Sequence, residues 1–315
     1  MITVFFHSEG DVKEANGIDE FRHIPVEKIF WIDLLFPTDG ERKNVETVFK
    51  VDFEQLKAEN KLESNTQYYE SEELIFISSN FIAFQDGHFE STPVYFYLLK
   101  NMLITERNST FATFDETIKK MKRNRKGFKY GSDILEGILE TKFDLDTDYI
   151  EQMAKDIASM SRSLSLRKDI VIEEMLLKIS DYQESATLSR DSFVDKQRVT
   201  SALLKSNAFK NKNRLSILIK DITAMLDYTS FIFVRLEYLQ NTLIGLINIQ
   251  QNKTIKIFTI VSVVFMPPTL IASIYGMNFK MMPELSWRFG YPLAILLIIG
   301  SSAATLLLFK MKKWL

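Results

Sequence analysis

A row of hydroxyl and amide side chains runs through an otherwise apolar segment near the end of the chain. Residues 257–275 include four Ser and Thr residues but no Asp, Glu, Lys, Arg or His. Steps of seven, four and three residues keep to one face of an α-helix, so these side chains share a stripe. Polar groups confined to one face of a membrane helix must meet protein or water rather than lipid. With its continuation on both sides, the stripe consists of Asn241, Asn248, Asn252, Ile255, Thr259, Ser262, Met266, Thr269, Ser273 and Gly276.

Two interpretations of this stripe remain open. Small and hydroxylated residues also occur where membrane helices pack closely together. Alternatively, the stripe lines a water-filled pathway for ions, which is favoured by the three asparagines before the segment and by Asn278 after it. One helical hairpin cannot enclose a pathway, so this interpretation requires a closed cyclic homo-oligomer.

The stripe belongs to the first of two stretches that can cross a membrane. Residues 257–275 and 291–309 are each 19 residues long and free of charged side chains, which matches a hydrocarbon core of about 30 Å. Positive charge accumulates on the inner side of membranes, so we expect both termini to be cytoplasmic and the loop 276–290 to be external. The flanking basic residues are Lys253, Lys256, Lys310, Lys312 and Lys313, against Lys280 and Arg288 in the loop.

The bulk composition excludes several classes of protein. The chain has 315 residues, 25% of them charged, and a net charge of −2, which gives no argument for nucleic-acid binding. It contains no Cys, so there is no disulfide or thiol chemistry. The first ten residues lack the pattern of a signal peptide. No catalytic pattern stands out, so we do not expect an enzyme.

Pro and Gly divide the remainder of the chain. Runs such as Ile2–Phe6 and Val94–Leu99 predict strands, and 85–88 predicts a hairpin turn between Phe81–Phe84 and the next strand. No Pro falls between 94 and 266, so long helices follow, with turns expected at Ser159–Ser165 and Lys205–Asn213. We expect an α/β domain (1–110), a long-helix region (111–210), a stalk helix (211–256), two spans (257–275 and 291–309) around the loop (276–290), and a basic tail (310–315).

The stalk carries a heptad repeat. Its a and d positions run from Leu215 and Leu218 to Gln250 and Lys253, and nine of the twelve are apolar. The seam serves either assembly with other copies or packing on helices of the same chain. Without a Pro or Gly stop other than Gly245, the stalk and the first span form one helix from about residue 211 to residue 275, roughly 100 Å long.

Several motifs around the spans resemble those of the CorA family of magnesium channels. They are Tyr275-Gly276-Met277-Asn278-Phe279, Met282-Pro283-Glu284-Leu285, Gly290-Tyr291-Pro292, Phe265-Met266-Pro267 and the closing Lys312-Lys313-Trp314-Leu315. The close match covers about residues 236–315, and the part before it is similar only in layout.

The resemblance implies an α+β cytoplasmic domain with long helices, a stalk continuous with a two-helix transmembrane hairpin, and a pentameric funnel in the inner membrane. It places Asn278, with Tyr275, Gly276 and Met277, at the external ion entrance, and Asn252 at the inner mouth of the pore. Bulky apolar residues at Ile255, Phe258 and Met266 would form the gate. At the first two of these positions the family usually has Met and Leu.

The implied cargo is Mg²⁺, with Co²⁺ and Ni²⁺ as further candidates. Mg²⁺ gives up its water reluctantly, and a ring of Asn amides can hold the hydrated ion through its waters. Glu284, the one acid of the loop, either concentrates cations at the entrance or is an ordinary solvated charge.

The resemblance also implies regulation by cytoplasmic Mg²⁺, which members of the family sense with acidic residues. The position of the family's sensing acid in the stalk falls near Ile217, which is apolar. Asp86, Asp221 and Asp227 are the nearest candidates for a regulatory metal site, and each is otherwise a solvated acid.

Lys119–Lys129 holds seven basic residues and could touch phospholipid, nucleotide or an acidic neighbour, with a solvated surface as the alternative. The acids between Glu136 and Asp156 could hold hydrated cations, with a solvated helix face and loop as the alternative.

The leading interpretation is therefore a channel for divalent cations, chiefly Mg²⁺, driven by membrane potential, with the bilayer and further copies of the chain as partners. One alternative is a zinc transporter of the same superfamily, against which Met277 argues. Another is a membrane-anchored sensor or scaffold whose hairpin only tethers.

Overall fold

The computed structural model describes residues 1–8, 11–62, 68–85, 88–124, 127–165, 171–209, 212–277, 280 and 282–312. The chain divides into two compact units, Met1–Gln240 and Asn241–Leu315. The boundary falls inside one long helix, and each unit is described by itself.

The first unit contains a seven-stranded mixed sheet in the order β2-β1-β3-β7-β6-β5-β4. β3 and β7 are parallel, and the other neighbouring strands are antiparallel. Gln85 pairs with His88 across the predicted hairpin. The strands are β1 (Ile2–Ser8), β2 (Asp11–Asn16), β3 (Ile29–Leu35), β4 (Tyr68–Glu70), β5 (Leu74–Gln85), β6 (His88–Leu99) and β7 (Met102–Arg107).

Helices cover both faces of the sheet, and alternate side chains of each strand point to opposite faces. On one face, Val4 and Ile32 share a core with residues of the short helices α1 (Ile18–Phe21), α2 (Asp39–Phe49) and α3 (Phe53–Leu62). On the other, Trp31 stacks on Phe5 at 4.6 Å between ring centroids and meets Phe114 of α4 (Ala112–Arg123) at 6.3 Å. The expected mixed α/β architecture is confirmed.

Helices α5 (Gly131–Ser165) and α6 (Ile172–Lys205) follow. The turn expected at Ser159–Ser165 is wrong, because α5 continues through that segment. The hydroxyls of Ser159 and Ser163 donate to backbone carbonyls of their own helix, and Met160 and Leu164 are buried. The separate helix α4 is an element that the sequence interpretation merged with the longer ones.

The stalk and the first apolar stretch form one helix, α7 (Asn213–Tyr275), as expected. In the first unit its seam residues Leu215, Ile222, Ile232 and Leu239 are buried within the single chain. Antiparallel α6 donates side-chain hydrogen bonds to α7 along its length, from Gln183 to Gln240, Arg190 to Ser230 and Gln197 to Thr223. The heptad residues of this stretch pack on helices of the same chain. The interpretation that they assemble with other copies of the chain is therefore wrong here.

The second unit contains the end of α7, a short 3-10 turn (Pro283–Ser286) and α8 (Gly290–Met311). Among the residues that the structure describes, α7 and α8 are the two helices that are long and apolar enough to cross a membrane. Half-buried positions recur at helical spacing on both helices, at Ile260, Ile271 and Tyr275 on one and at Ala294, Ile298, Ser301 and Thr305 on the other. This is the pattern of two helices packed along one line.

Candidate ion-conduction site

The polar stripe is exposed along α7 in the second unit. Every residue predicted to line a pore is exposed in the single chain, and the half-buried positions lie on the other side of the helix. The exposed set is Asn241, Asn248, Asn252, Ile255, Phe258, Thr259, Ser262, Met266, Thr269 and Ser273. The structure therefore leaves the stripe free for water or for another copy of the chain, and α8 does not cover it.

Two hydroxyls of the stripe are already oriented. Thr259 donates to the carbonyl of Ile255 at 2.8 Å, and Thr269 donates to that of Phe265 at 2.7 Å. Since the hydrogen of each hydroxyl is used within the helix, its oxygen remains as an acceptor on the stripe. Hydroxyl oxygens that act only as acceptors can accept hydrogen bonds from the waters around a cation.

Bulky apolar residues interrupt the polar groups of the stripe. Ile255 is 53% exposed, Phe258 69% and Met266 65%. The first and last share the stripe, and Phe258 lies beside it because it is three residues from Ile255. Pro267 and Pro268 lie inside the same helix and cannot donate the backbone hydrogen bonds of an ideal helix.

The loop after α7 begins at a tight helix end. Gly276 N–H donates to Ala272 O at 3.0 Å, and Met277 N–H donates to Ile274 O at 3.2 Å, so they cap carbonyls of the last turn of α7. Met277 and Glu284 are exposed. Asn278, the central residue of the predicted ion entrance, lies outside the described residues.

The other end of the loop folds against the start of α8. Leu285 N–H donates to Met282 O, and Gly290 N–H donates to Trp287 O. Gly290 is the buried residue of α8, and a β-carbon there would lie 2.0 Å from the carbonyl oxygen of Glu284. Glycine is required because the backbone of the 3-10 turn occupies that space.

Comparison with known proteins agrees with this layout. The protein-family model described as CorA-like Mg2+ transporter protein matches residues 26–313. The chain belongs to this CorA family. It is 38% identical, over an alignment of 325 residues covering the whole of both chains, to a protein of Wolinella succinogenes named magnesium transport protein CorA.

Two solved structures share the fold of this CorA-family chain. The complete CorA magnesium transporter of Methanocaldococcus jannaschii superimposes with a TM-score of 0.81 at 18% identity, covering 100% of this chain and 99% of that one. The cytoplasmic domain of ZntB from Vibrio parahaemolyticus gives a TM-score of 0.59 at 13% identity and covers 79% of this chain and 98% of its own. At these identities the likeness concerns the fold alone.

Two of the predicted regulatory acids, Asp221 and Asp227, do not form a site together in this CorA-family structure. Asp221 and Asp227 are exposed on α7, and six residues of helix place them on different faces. Asp86 lies outside the described residues. In the part of the chain that is described, no group of three or more His, Cys, Asp or Glu residues is arranged to hold a metal ion.

Three lysines of the basic run are paired with acids. Lys119, Lys120 and Lys122 lie 2.7–2.9 Å from carboxylates of Glu116, Asp144 and Glu14. All three lysines are exposed, so these pairs contribute little to stability. This arrangement fits the solvated-surface interpretation.

Two acids of α5, the buried Glu136 and the half-buried Glu140, pair with a distant arginine, which the sequence interpretation missed. Glu136 and Glu140 both meet Arg214 of α7, at 3.5 Å and 2.5 Å. Burial, aided by the like charges of Glu140 and Asp133, raises the pKa of Glu136 to about 7 against the attraction of Arg214. The four-residue spacing of Glu136 and Glu140 was visible in the sequence, but the arginine 74 residues after Glu140 was not.

A second buried network joins α5, α6 and β5. Asp146 accepts from Lys142 on its own helix and lies 3.4 Å from Lys196 of α6, and both ammonium groups lie over the ring of Phe81. Burial lowers the pKa of Lys196 to about 8 despite the neighbouring Asp146. These charges fix α5 and α6 against the sheet.

Proposed function

We propose that this protein is a channel that conducts Mg²⁺ into the cell, with Co²⁺ and Ni²⁺ as further cargo. The observation that supports this proposal is the exposed polar stripe of α7, which lies opposite the half-buried side of that helix in a chain of the CorA family. An oxygen-lined path suits a hard cation that keeps part of its water shell. Membrane potential supplies about 2.3 kcal/mol per charge for each 100 mV, and twice that for a divalent ion.

The conducting form is a closed homo-oligomer, a pentamer by resemblance to the family. One α7 supplies a single wall, so a path along the stripe needs several copies around an axis. In that assembly Asn241, Asn248 and Asn252 lead into the span, and Thr259, Ser262, Thr269 and Ser273 line it.

Selectivity is assigned to the external end of α7. A ring of Asn278 amides, held beside Tyr275, Gly276 and Met277, contacts the waters of the incoming ion, and Glu284 raises the local concentration of cations. Neutral amides hold the ion less tightly than carboxylates would, which permits release.

The gate is assigned to Ile255, Phe258 and Met266. Rings of apolar side chains offer an ion no ligands, so a narrow path closes by losing its water. Binding of cytoplasmic Mg²⁺ closes the gate, with Asp86, Asp221 and Asp227 as candidate regulatory acids. The protein lies in the inner membrane with both termini cytoplasmic, as the basic residues beside the spans predict.

Flux into proteoliposomes tests the function. The purified protein is reconstituted with a Mg²⁺-sensitive or Zn²⁺-sensitive dye inside, and uptake is followed with and without an inside-negative potential. We expect potential-driven Mg²⁺ uptake that exceeds Zn²⁺ uptake. Faster Zn²⁺ uptake would favour the zinc-transporter alternative, and no uptake of either ion would favour a tethered sensor or scaffold.

The oligomeric state is tested on the same preparation. Light scattering coupled to size-exclusion chromatography should give a protein mass of five copies. A monomer or dimer in a preparation that still transports would contradict the shared pore.

A further inference from the structure

Lysines collect at one end of both membrane helices in the second unit. Lys253 and Lys256 precede the uncharged stretch of α7, and Lys310 and Lys312 follow that of α8. All four side chains are exposed in the single chain. Because consecutive spans cross a membrane in opposite directions, the four lysines lie at the same edge of the apolar region.

The two lysines of α7 share a face with the half-buried Ile260. Lys256 and Lys253 precede that residue by four and seven positions, which keeps all three on one side of the helix. Lys253 lies about 100° or more around the helix from the nearby stripe residues Asn252 and Ile255. Lys256 lies between the stripe and the half-buried side. The pair therefore extends the half-buried side of α7 past the end of its apolar stretch.

Lys312 holds the corresponding position on α8. Thr305 and Phe309 are half-buried, and Lys312 follows them by seven and three residues. Its N–H donates to Leu308 O at 3.0 Å, so helical spacing extends to Lys312. Lys310 is about 200° from Lys312 around the helix and faces another way. Three of the four lysines therefore continue the half-buried lines of the two helices, and Lys310 does not.

The three aligned ammonium groups have no acidic side chain near them in the second unit. Glu284 is the one Asp or Glu of residues 241–315. It precedes α8, whose 22 residues place it about 33 Å from the far end of that helix. The C-terminal end of α8 supplies roughly half a negative charge, so most of the positive charge remains unbalanced. The cluster therefore favours an anion.

The uncharged stretches set the depth of this cluster in the membrane. They end beside it, at Ile257 and Phe309, so the ammonium groups lie just outside the hydrocarbon core. Lipid headgroups occupy that layer, and anionic lipids attract Lys and Arg residues placed next to a span. The bilayer itself thus supplies an anion of the right charge at the right depth.

We propose that Lys253, Lys256 and Lys312 bind the phosphate of one anionic phospholipid. Its charge reduces the repulsion among the three ammonium groups, so bound lipid also stabilises the ends of α7 and α8 against separation. The leaflet is the cytoplasmic one under the orientation proposed above. The site needs only that both helices cross a bilayer, so it does not depend on ion conduction.

Native mass spectrometry of the full-length protein counts bound lipids. The delipidated protein is titrated with dioleoyl phosphatidylglycerol, with dioleoyl phosphatidylcholine and with inorganic phosphate. We expect tight binding of phosphatidylglycerol alone. Lys253→Gln, Lys256→Gln and Lys312→Gln should each weaken that binding about fivefold, the share of one lysine beside an anionic lipid.

Lys310→Gln is the matched control, because it removes the same charge from the same helix at the same depth but on another face. It should bind phosphatidylglycerol as the parent does. Equal weakening in Lys310→Gln would show a diffuse surface charge and overturn the site, and so would unchanged binding in the other three variants. Phosphate binding that matches lipid binding and is lost in the same three variants would identify free phosphate as the ligand and overturn the lipid.

Thermal unfolding provides a second readout on the same proteins. All four lysines are exposed, so the lipid-free variants should unfold at the temperature of the parent. Phosphatidylglycerol should raise the unfolding temperature of the parent and of Lys310→Gln more than that of Lys256→Gln or Lys312→Gln. An equal rise in all of them would contradict the proposal. Absent Mg²⁺ flux with intact lipid binding would overturn the channel function but not this site.

Discussion

The carbonyl oxygen of Glu284 occupies the space that a β-carbon at position 290 would need, at a distance of 2.0 Å. The contact joins the 3-10 turn of the loop to the first residue of α8. It gives a physical reason for the glycine before Tyr291 and Pro292, and it fixes one end of the loop that carries the proposed ion entrance.

Gly290→Ala should therefore displace the loop. A methyl group cannot fit against a backbone carbonyl without a shift, and overpacking of this kind costs about 1–3 kcal/mol. We expect a lower unfolding temperature and reduced Mg²⁺ uptake, measured in detergent and in proteoliposomes. Gly300→Ala on the same helix is the matched control, because its β-carbon would meet nothing within 4 Å. Equal losses of stability and uptake in both variants would show that the close approach of Gly290 to the Glu284 carbonyl is not their cause.

Asn278→Ala should abolish or greatly reduce Mg²⁺ uptake while assembly stays intact. The substitution removes the amide that is proposed to hold the hydrated ion, and liposome flux measures the result. Asn101→Ala, at an exposed position of the first unit, should transport normally. A correctly assembled Asn278→Ala variant with full uptake would rule out the amide ring.

Phe258→Asn and Met266→Asn should increase Mg²⁺ leak when internal Mg²⁺ is high. A polar side chain in an apolar constriction retains water and lowers the barrier to an ion. Ile257→Asn is the control, since Ile257 is also exposed but lies 100° around the helix from Phe258 and away from the stripe. If all three variants remain as tightly closed as the parent, the barrier lies elsewhere on the path.

Glu136 should make the stability of the first unit depend on pH. Its pKa in the folded protein is about 7, above the ordinary 4.5, so the folded state binds the proton more tightly than the unfolded state does. The free energy of unfolding should then fall as pH rises from about 5 to about 8. Glu136→Gln should stabilise the protein at pH 8 by about 1–3 kcal/mol and have little effect at pH 5.

Urea unfolding between pH 5 and pH 8 measures this dependence. Glu140→Gln is the matched comparison on the same helix, and it should destabilise the protein at pH 8 because Arg214 loses its bidentate partner. A parent protein whose stability rises over this range would contradict the assignment to Glu136.

Local patterns of residues were enough to predict the spans, the long helix and the family. Two uncharged stretches of 19 residues predicted both spans, and the lack of Pro between residues 94 and 266 predicted one helix from the stalk into the first of them. The motifs from Tyr275 to Pro292 identified the family. Each of these features lies within one continuous segment of the sequence, so it can be recognised without knowledge of distant contacts.

The folded structure was needed to show which residues that are distant in the sequence are in contact. The seam residues of α7 in the first unit, from Leu215 to Leu239, are buried within the single chain, whereas the polar stripe in the second unit is uncovered. Both sets have helical spacing. The fold also placed Arg214 beside Glu136 and Glu140, at 3.5 Å and 2.5 Å from their carboxylates. These outcomes depend on which elements pack together, and a local pattern of apolar and charged residues does not specify the partner.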